Sequence, residues 1–228
     1  MTSQPIVFLI DVDNTLLDND YIQEDIKRHL EREFGKGCRD RYWTIQEDLF
    51  VRLGYRDYLG ALQLYRDEHP NQVEFLSMAS FFVDYPFCDR VFPGAFAVLE
   101  RFQRWGRTVI LSDGDVVFQP RKVERSGIAA AVDGHVLIYI HKEQSLDDVS
   151  RRYPASHYVL VDDKLRILTA VKEAWGDRVT TVFPRQGQFA REHVVARYPA
   201  ADLSVEHIGE LADLELSAFN VGRSLTAC

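Results

Sequence analysis

Cysteine is scarce in this chain, and the little there is lies scattered: Cys38, Cys88 and Cys228 are the three among 228 residues. Their spacing matches no metal-ligand pattern. An odd, sparse set speaks for reduced thiols in a cytoplasm rather than for a disulfide framework. Positive charge is also short: Lys+Arg 27 against Asp+Glu 35 gives a net charge of −8. That balance disfavours nonspecific binding to nucleic acid or an anionic membrane, since both reward a basic surface. No window approaches the roughly 20 apolar residues of a membrane span. Met1-Thr2-Ser3-Gln4-Pro5 supplies no basic region ahead of a signal-like apolar run. Phosphate and nucleophile signatures are missing as well. There is no Gly-x-Gly-x-x-Gly, no Walker-type loop, no Gly-x-Ser-x-Gly and no His-x-x-x-His, which removes the usual signals of dinucleotide binding, ATP hydrolysis, serine hydrolysis and a histidine metal site. The expectation is a soluble, cytoplasmic protein, monomer or homodimer, without nucleic-acid or membrane partners.

What is present begins with Ile6-Val7-Phe8-Leu9-Ile10, five apolar residues without polar alternation, followed at once by Asp11-Val12-Asp13-Asn14-Thr15. Such a run predicts a strand buried on both faces, as in a parallel sheet covered by helices. Open α/β sheets bind ligands at the carboxyl ends of their strands, so Asp11 stands where chemistry is usually done. Two carboxylates one residue apart can divide labour, one attacking or binding metal, the other moving protons. Alone, the pair could equally end a strand and start a turn.

Two more buried runs end the same way. Thr108-Val109-Ile110-Leu111 leads into Ser112-Asp113-Gly114, and Tyr158-Val159-Leu160-Val161 into Asp162-Asp163. If the three strands are neighbours, their tips meet in one crevice. Carboxylates gathered so closely cannot all stay ionised without a cation, and an all-oxygen set suits Mg²⁺ better than zinc. Between the first strand and the second, residues 17–90 read as helix throughout. Ile22, Ile26, Leu30 and Phe34 recur every four residues behind a cap at Asn19 or Asp20, with Gly35 and Gly37 as terminators, and three further helical stretches stop near Gly54, Pro70 and Pro86. This stretch carries 10 Lys+Arg and 15 Asp+Glu, so it is no clamp for polyanions. Its aromatics, Tyr42, Trp43, Phe50, Phe81 and Phe82, are expected in a core. From residue 91 helices and short strands alternate, and a loose end is expected at the carboxyl terminus. The fold class is therefore α/β: a Rossmann-like parallel sheet with helices on both faces in residues 1–16 and 91–228, and an all-helical cap in residues 17–90.

Taken together these motifs resemble the haloacid dehalogenase superfamily. Phe8-Leu9-Ile10-Asp11-Val12-Asp13-Asn14-Thr15 is similar to its first motif, Val109-Ile110-Leu111-Ser112 to its second, Lys142 to the lysine of its third, and Val159-Leu160-Val161-Asp162-Asp163 to its fourth. The resemblance spans nearly the whole chain. It implies that Asp11 is the nucleophile toward phosphorus and Asp13 the proton carrier. It implies that Ser112, Asp113 and Lys142 hold the phosphate, and that Asp11, the Asp13 carbonyl, Asp162 and Asp163 hold Mg²⁺. Thr15 is assigned to support of the loop. Lys122 and Lys164 compete with Lys142; Lys164 reads as a local ion-pair partner and Lys122 as a charge on an exposed helix face. Dehalogenating members lack the second aspartate, so Asp13 favours a phosphatase acting on a small phosphorylated metabolite. A sugar-phosphate mutase and a non-catalytic binding or regulatory protein remain as alternatives. Tyr21, Arg52, Arg56 and Arg66 are conceivable substrate contacts, each arginine otherwise a solvated or ion-paired helix face.

Overall fold

The structure, a computed structural model, describes residues 6–191 and 193–219; the carboxyl-terminal stretch expected to be loose lies outside the described residues. The opening apolar run forms β1 (Ile6–Ile10), buried along its whole length. Its side chains divide by parity, as a pleated strand requires. Ile6, Phe8 and Ile10 enter one apolar cluster and Val7 and Leu9 another, so both faces of the strand are covered.

β1 is central in a six-stranded sheet with β2 (Arg107–Asp113), β3 (Val136–Tyr139), β4 (His157–Val161), β5 (Val179–Pro184) and β6 (Leu203–Val205). The order is β3-β2-β1-β4-β5-β6 and every pairing is parallel. Ile10 lies opposite both Ile110 and Val161, so the carboxyl ends of β2 and β4 flank that of β1. The three acidic tips are therefore neighbours, which meets the condition for one shared crevice.

Between β1 and β2 the chain runs through α1 (Asn19–Leu53), α2 (Tyr58–Glu68), α3 (Ser77–Asp84) and α4 (Ala95–Gln103). No strand interrupts them among the described residues; only isolated bridges join Leu17 to Asp13 and to Val91. The expected stop at Gly35 is a break rather than an end. Gly35 adopts φ 84° and ψ 166° and the helix resumes beyond it, running on to Gly54, which closes it at φ 81° with its N–H donated to Phe50 O. The amino-terminal cap is Asp18, whose carboxylate accepts the Tyr21 N–H, and not Asn19 or Asp20. Both of those residues give their backbone N–H groups to Asn14 Oδ1 instead.

The remaining helices are α5 (Phe118–Arg125), α6 (Ile128–Ala131), α7 (Leu146–Arg152) and α8 (Leu165–Trp175), followed by tight 3-10 turns at Ile208–Asp213 and Leu216–Phe219. Those turns close the described chain. The ring of Phe8 stacks on Phe102 of α4 at 4.3 Å and meets Phe219 edge-on at 6.1 Å, so one residue of the central strand anchors a helix and the last turn. Of the aromatics expected in the core, Tyr42 and Phe82 are fully buried, whereas Phe50 is half-buried and lines a cleft. No helix among the described residues is long and apolar enough to cross a membrane. Because Phe8 sits at that junction, Phe8→Ala is expected to cost about 3–5 kcal/mol of folding stability through the cavity it leaves, measured by urea unfolding.

Candidate active site

Asp11 follows directly on β1 and is tied to its neighbour strand by a backbone hydrogen bond, Asp11 N–H to Val161 O at 2.9 Å. Its side chain is buried, as are Asp162 and Asp163 at the tip of β4. Ligand oxygens of these three carboxylates lie within 4.8 Å of one another. Like charges this close and this dry oppose ionisation. Burial, against the pull of the Lys142 ammonium, pushes Asp11 up to about 6, and burial raises Asp163 well above the usual carboxylate range.

The counter-charge is Lys142. Its Nζ donates to Asp11 Oδ1 at 2.5 Å and to Leu111 O at 3.2 Å, and sits 2.6 Å from Asp162 Oδ2 in an ion contact that lacks hydrogen-bond alignment. The surrounding carboxylates outweigh desolvation and hold the ammonium protonated. Asp113 accepts the backbone N–H of Lys142 at 2.7 Å, so it fixes where the lysine leaves the chain; burial raises this carboxyl too. Ser112 is buried beside it, its Oγ accepting from Gln119 Nε2 at 3.0 Å. Both oxygens of Asp163 are buried without a hydrogen-bond partner among the described residues. Three converging carboxylates with orphaned oxygens are the donor set of a hard divalent cation, and the residues present fit one.

Asp13 stands apart from this cluster. It is a quarter exposed, and its Oδ1 accepts from Lys122 Nζ at 2.7 Å. Lys122 is fully buried on α5 and donates also to Asn19 Oδ1 at 2.9 Å. The expectation of an exposed Lys122 is therefore corrected. The buried face of α5 carries Phe118, Gln119, Lys122 and Val123, an i, i+1, i+4, i+5 pattern visible in the sequence once polar residues are admitted to it. Lys164, expected as a local ion-pair partner, makes no ion pair among the described residues; its backbone N–H donates to Asp162 Oδ1 at 2.8 Å.

The loop between the two aspartates and α1 is held from three sides. Asn14 takes the left-handed conformation at φ 59°, which asparagine tolerates better than most residues. Thr15 is buried with its hydroxyl 3.5 Å from Asp11 Oδ2. Gln186, in a stretch without periodic pattern, donates its amide to Asn14 O at 3.0 Å and Thr15 O at 2.8 Å while accepting Ile208 N–H at 2.9 Å. Next to it Gly187 passes so close that an added Cβ would stand 2.4 Å from Asn14 Cβ.

Over Asp13 the helices and the sheet edge leave a narrow throat of about 40 Å³, lined among others by Phe50, Gly54, Arg56, Tyr58 and Lys164. It adjoins an open cleft of about 520 Å³ that shares Phe50, Gly54, Asp113, Lys164 and Phe189 with it. Of the conceivable substrate contacts, Arg56 reaches this throat, whereas Arg52 and Arg66 are exposed.

A parallel sheet of this order, with a buried acid cluster and lysine at its carboxyl edge, is an α/β fold with its ligand crevice at the strand ends. A family model for haloacid dehalogenase-like hydrolases matches residues 7–174. The chain belongs to the haloacid dehalogenase-like hydrolase family. It is 57% identical to a haloacid dehalogenase-like hydrolase from Burkholderia xenovorans LB400, with TM-score 0.89 over 92% of this chain and 99% of that one. The fold is shared, at 14% identity and TM-score 0.63, with the HAD-hydrolase YfnB of Bacillus subtilis bound to magnesium, over 92% of this chain and 98% of that one. It is shared also with L-2-haloacid dehalogenase of Xanthobacter autotrophicus carrying covalently bound chloropropionic acid, at 16% identity and TM-score 0.61 over 91% and 97%. No curated protein matches the chain.

Replacing Lys142 by Met removes the cation from a buried three-acid cluster, so a stability loss of about 3–5 kcal/mol is expected at pH 8. The raised acids bind protons more readily folded than unfolded, so the variant regains stability as pH falls toward 5. Urea melts at the two pH values check both the size and the sign.

Proposed function

We propose that the chain is a Mg²⁺-dependent phosphatase that hydrolyses a small phosphorylated metabolite through an aspartyl-phosphate, with residues 17–90 acting as a cap over the site. The observation that carries this reading is the division of the two aspartates. Asp11 lies in the dry cluster beside Lys142, while Asp13 lies outside it, at the throat through which a leaving group would point. Phosphoryl transfer by this route needs two carboxylates with those two positions, one to attack and one to move protons.

Asp11 attacks phosphorus with a carboxylate oxygen, and the bond to the leaving oxygen breaks with its electron pair. Asp13 gives that oxygen a proton, then takes one from the water that attacks the aspartyl-phosphate and frees Asp11. Lys142 and the Ser112 hydroxyl meet the phosphoryl oxygens as charge spreads onto them, and Asp113 keeps the lysine in register. Asp11, Asp162, Asp163 and the Asp13 carbonyl would hold Mg²⁺, whose charge offsets that of phosphate and nucleophile together. The magnesium bound by the Bacillus subtilis structure supports this choice of ion.

A second reading is favoured by relatives of the same fold that are haloacid dehalogenases, one of them with chloropropionic acid bound covalently. There the attack would fall on carbon and release halide. Asp13 weighs against it, because displacement of halide needs no proton for the leaving group.

Purified protein is expected to release phosphate from an aryl phosphate with Mg²⁺ and no chloride from 2-chloropropionate. Asp11→Asn should abolish turnover, and Asp13→Asn should lower it by about 10²–10⁴. Full activity of Asp11→Asn, or equal activity without Mg²⁺, sinks the reading. Since protons and the dication compete for Asp11 and Asp163, Mg²⁺ should raise the melting temperature more at pH 8 than at pH 5, and Asp163→Asn should lose most of that increment.

A further inference from the structure

Resting on the phosphatase reading, we infer that the leaving group of the substrate carries a carboxylate, bound in the throat over Asp13 by Arg56, Tyr58 and Lys164. All three side chains line that throat. Each brings a donor with no strong acceptor. Arg56 Nη2 lies 3.0 Å from Glu47, but Nη1 is buried with no hydrogen-bond partner. The Tyr58 hydroxyl is buried and unpartnered too, the neighbouring Asn19 amide not meeting hydrogen-bond geometry with it. Lys164 makes no ion pair within 4.0 Å among the described residues, although the charges of Asp163, Asp11 and Asp162 hold it protonated against its burial, and it rests with its Nζ 5.1 Å from the centre of the Phe189 ring.

Buried donors without acceptors are uncommon in folded proteins, and an anion with several lone pairs is the ligand that satisfies three of them at once. The guanidinium is also held in place. It lies over the rings of Phe50 at 4.9 Å and Trp43 at 5.6 Å, so its planar fork is presented in one orientation. Glu47 is 47% exposed and shares its charge with water, which leaves Arg56 able to serve a buried ligand. The acids that line the same throat are already engaged, Asp13 by Lys122 and Asp113 by the backbone of Lys142.

Charge favours a carboxylate over a second phosphate. Arg56 shares its charge with Glu47, Lys164 shares its own with Asp163 and Asp11, and Asp13 and Asp113 line the same throat, so a monoanion is better matched there than a dianion. The throat opens to the cleft at Phe50, Gly54 and Phe189, where a bulkier substituent on the same leaving group would extend. The two cations come from opposite sides, Arg56 from the turn that follows α1 and Lys164 from the tip of β4, so the carboxylate would bridge helical insertion and sheet.

Three phosphate esters of near-equal size test this: phosphoglycolate, 2-hydroxyethyl phosphate and 2-aminoethyl phosphate, assayed with Mg²⁺ and the wild-type protein. The expected order of kcat/KM is carboxylate above hydroxyl above ammonium, with at least tenfold between the first two. Arg56→Met and Lys164→Met should each cut kcat/KM for phosphoglycolate at least tenfold more than for 2-hydroxyethyl phosphate, and Arg56→Lys should restore part of the difference. Equal rates on all three esters, or losses in the variants that are the same for all three, overturn the carboxylate while leaving the phosphatase standing. Hydrolysis of none of the three, nor of an aryl phosphate, overturns both.

Discussion

Keeping three carboxylates dry at the end of a parallel sheet is the constraint on which this architecture turns. Asp11, Asp162 and Asp163 are all buried; the Lys142 ammonium pairs with Asp11 and Asp162, and the charge of Lys164 acts on Asp163 and Asp11. Such a cluster is tolerable only because Lys142 is itself clamped, through its Nζ to Leu111 O and through its backbone to Asp113. The strain that remains, in the raised acids and the orphaned oxygens of Asp163, is of the kind a small dication would relieve. Stability and chemistry are thus opposed at the same atoms, as strained functional sites generally are.

The sheet order follows from that requirement. A crevice forms where neighbouring strands bring their carboxyl ends together, and β2, β1 and β4 lie side by side with Ile10 opposite both Ile110 and Val161. Asp11 and Asp13 then part company within one turn of chain: the first faces the cluster, the second faces Lys122 and the helices. Asn14 and Gln186 hold the turn that separates them. The left-handed Asn14 redirects the chain, and the Gln186 amide satisfies the carbonyls which the turn would otherwise leave buried and unpaired.

How much of this was legible in the sequence depends on the range of the interaction. Strand tips are local signals, an apolar run followed by acids, and β1, β2 and β4 with Asp11, Ser112 and Asp162 could be read from them. The helical character of residues 17–90 was legible for the same reason, through its period. Long-range partners were not. Lys122 looked solvated because a lysine usually is, and only the packing of α5 onto the start of α1 shows that its ammonium ends between Asp13 and Asn19. Gln186 lies over 170 positions from the carbonyls it serves, in a stretch with no periodic pattern at all. The cap at Asp18 was misplaced by one or two residues because Asn14, five and six positions back, claims the N–H groups of Asn19 and Asp20.

The pairing of Asp13 with Lys122 has a consequence for how this chain can change over evolutionary time. A single substitution that removes the Asp13 carboxylate strands a fully buried ammonium with one amide oxygen for company, a large penalty for any folded protein. Substitution of Lys122 alone strands a carboxylate that is three-quarters buried. Descent with altered chemistry at position 13 therefore has to pass through a compensated route in which both positions move together. Relatives sharing this ion pair should vary at the two sites in step, so that Asp13 and Lys122 are inherited as a two-residue unit.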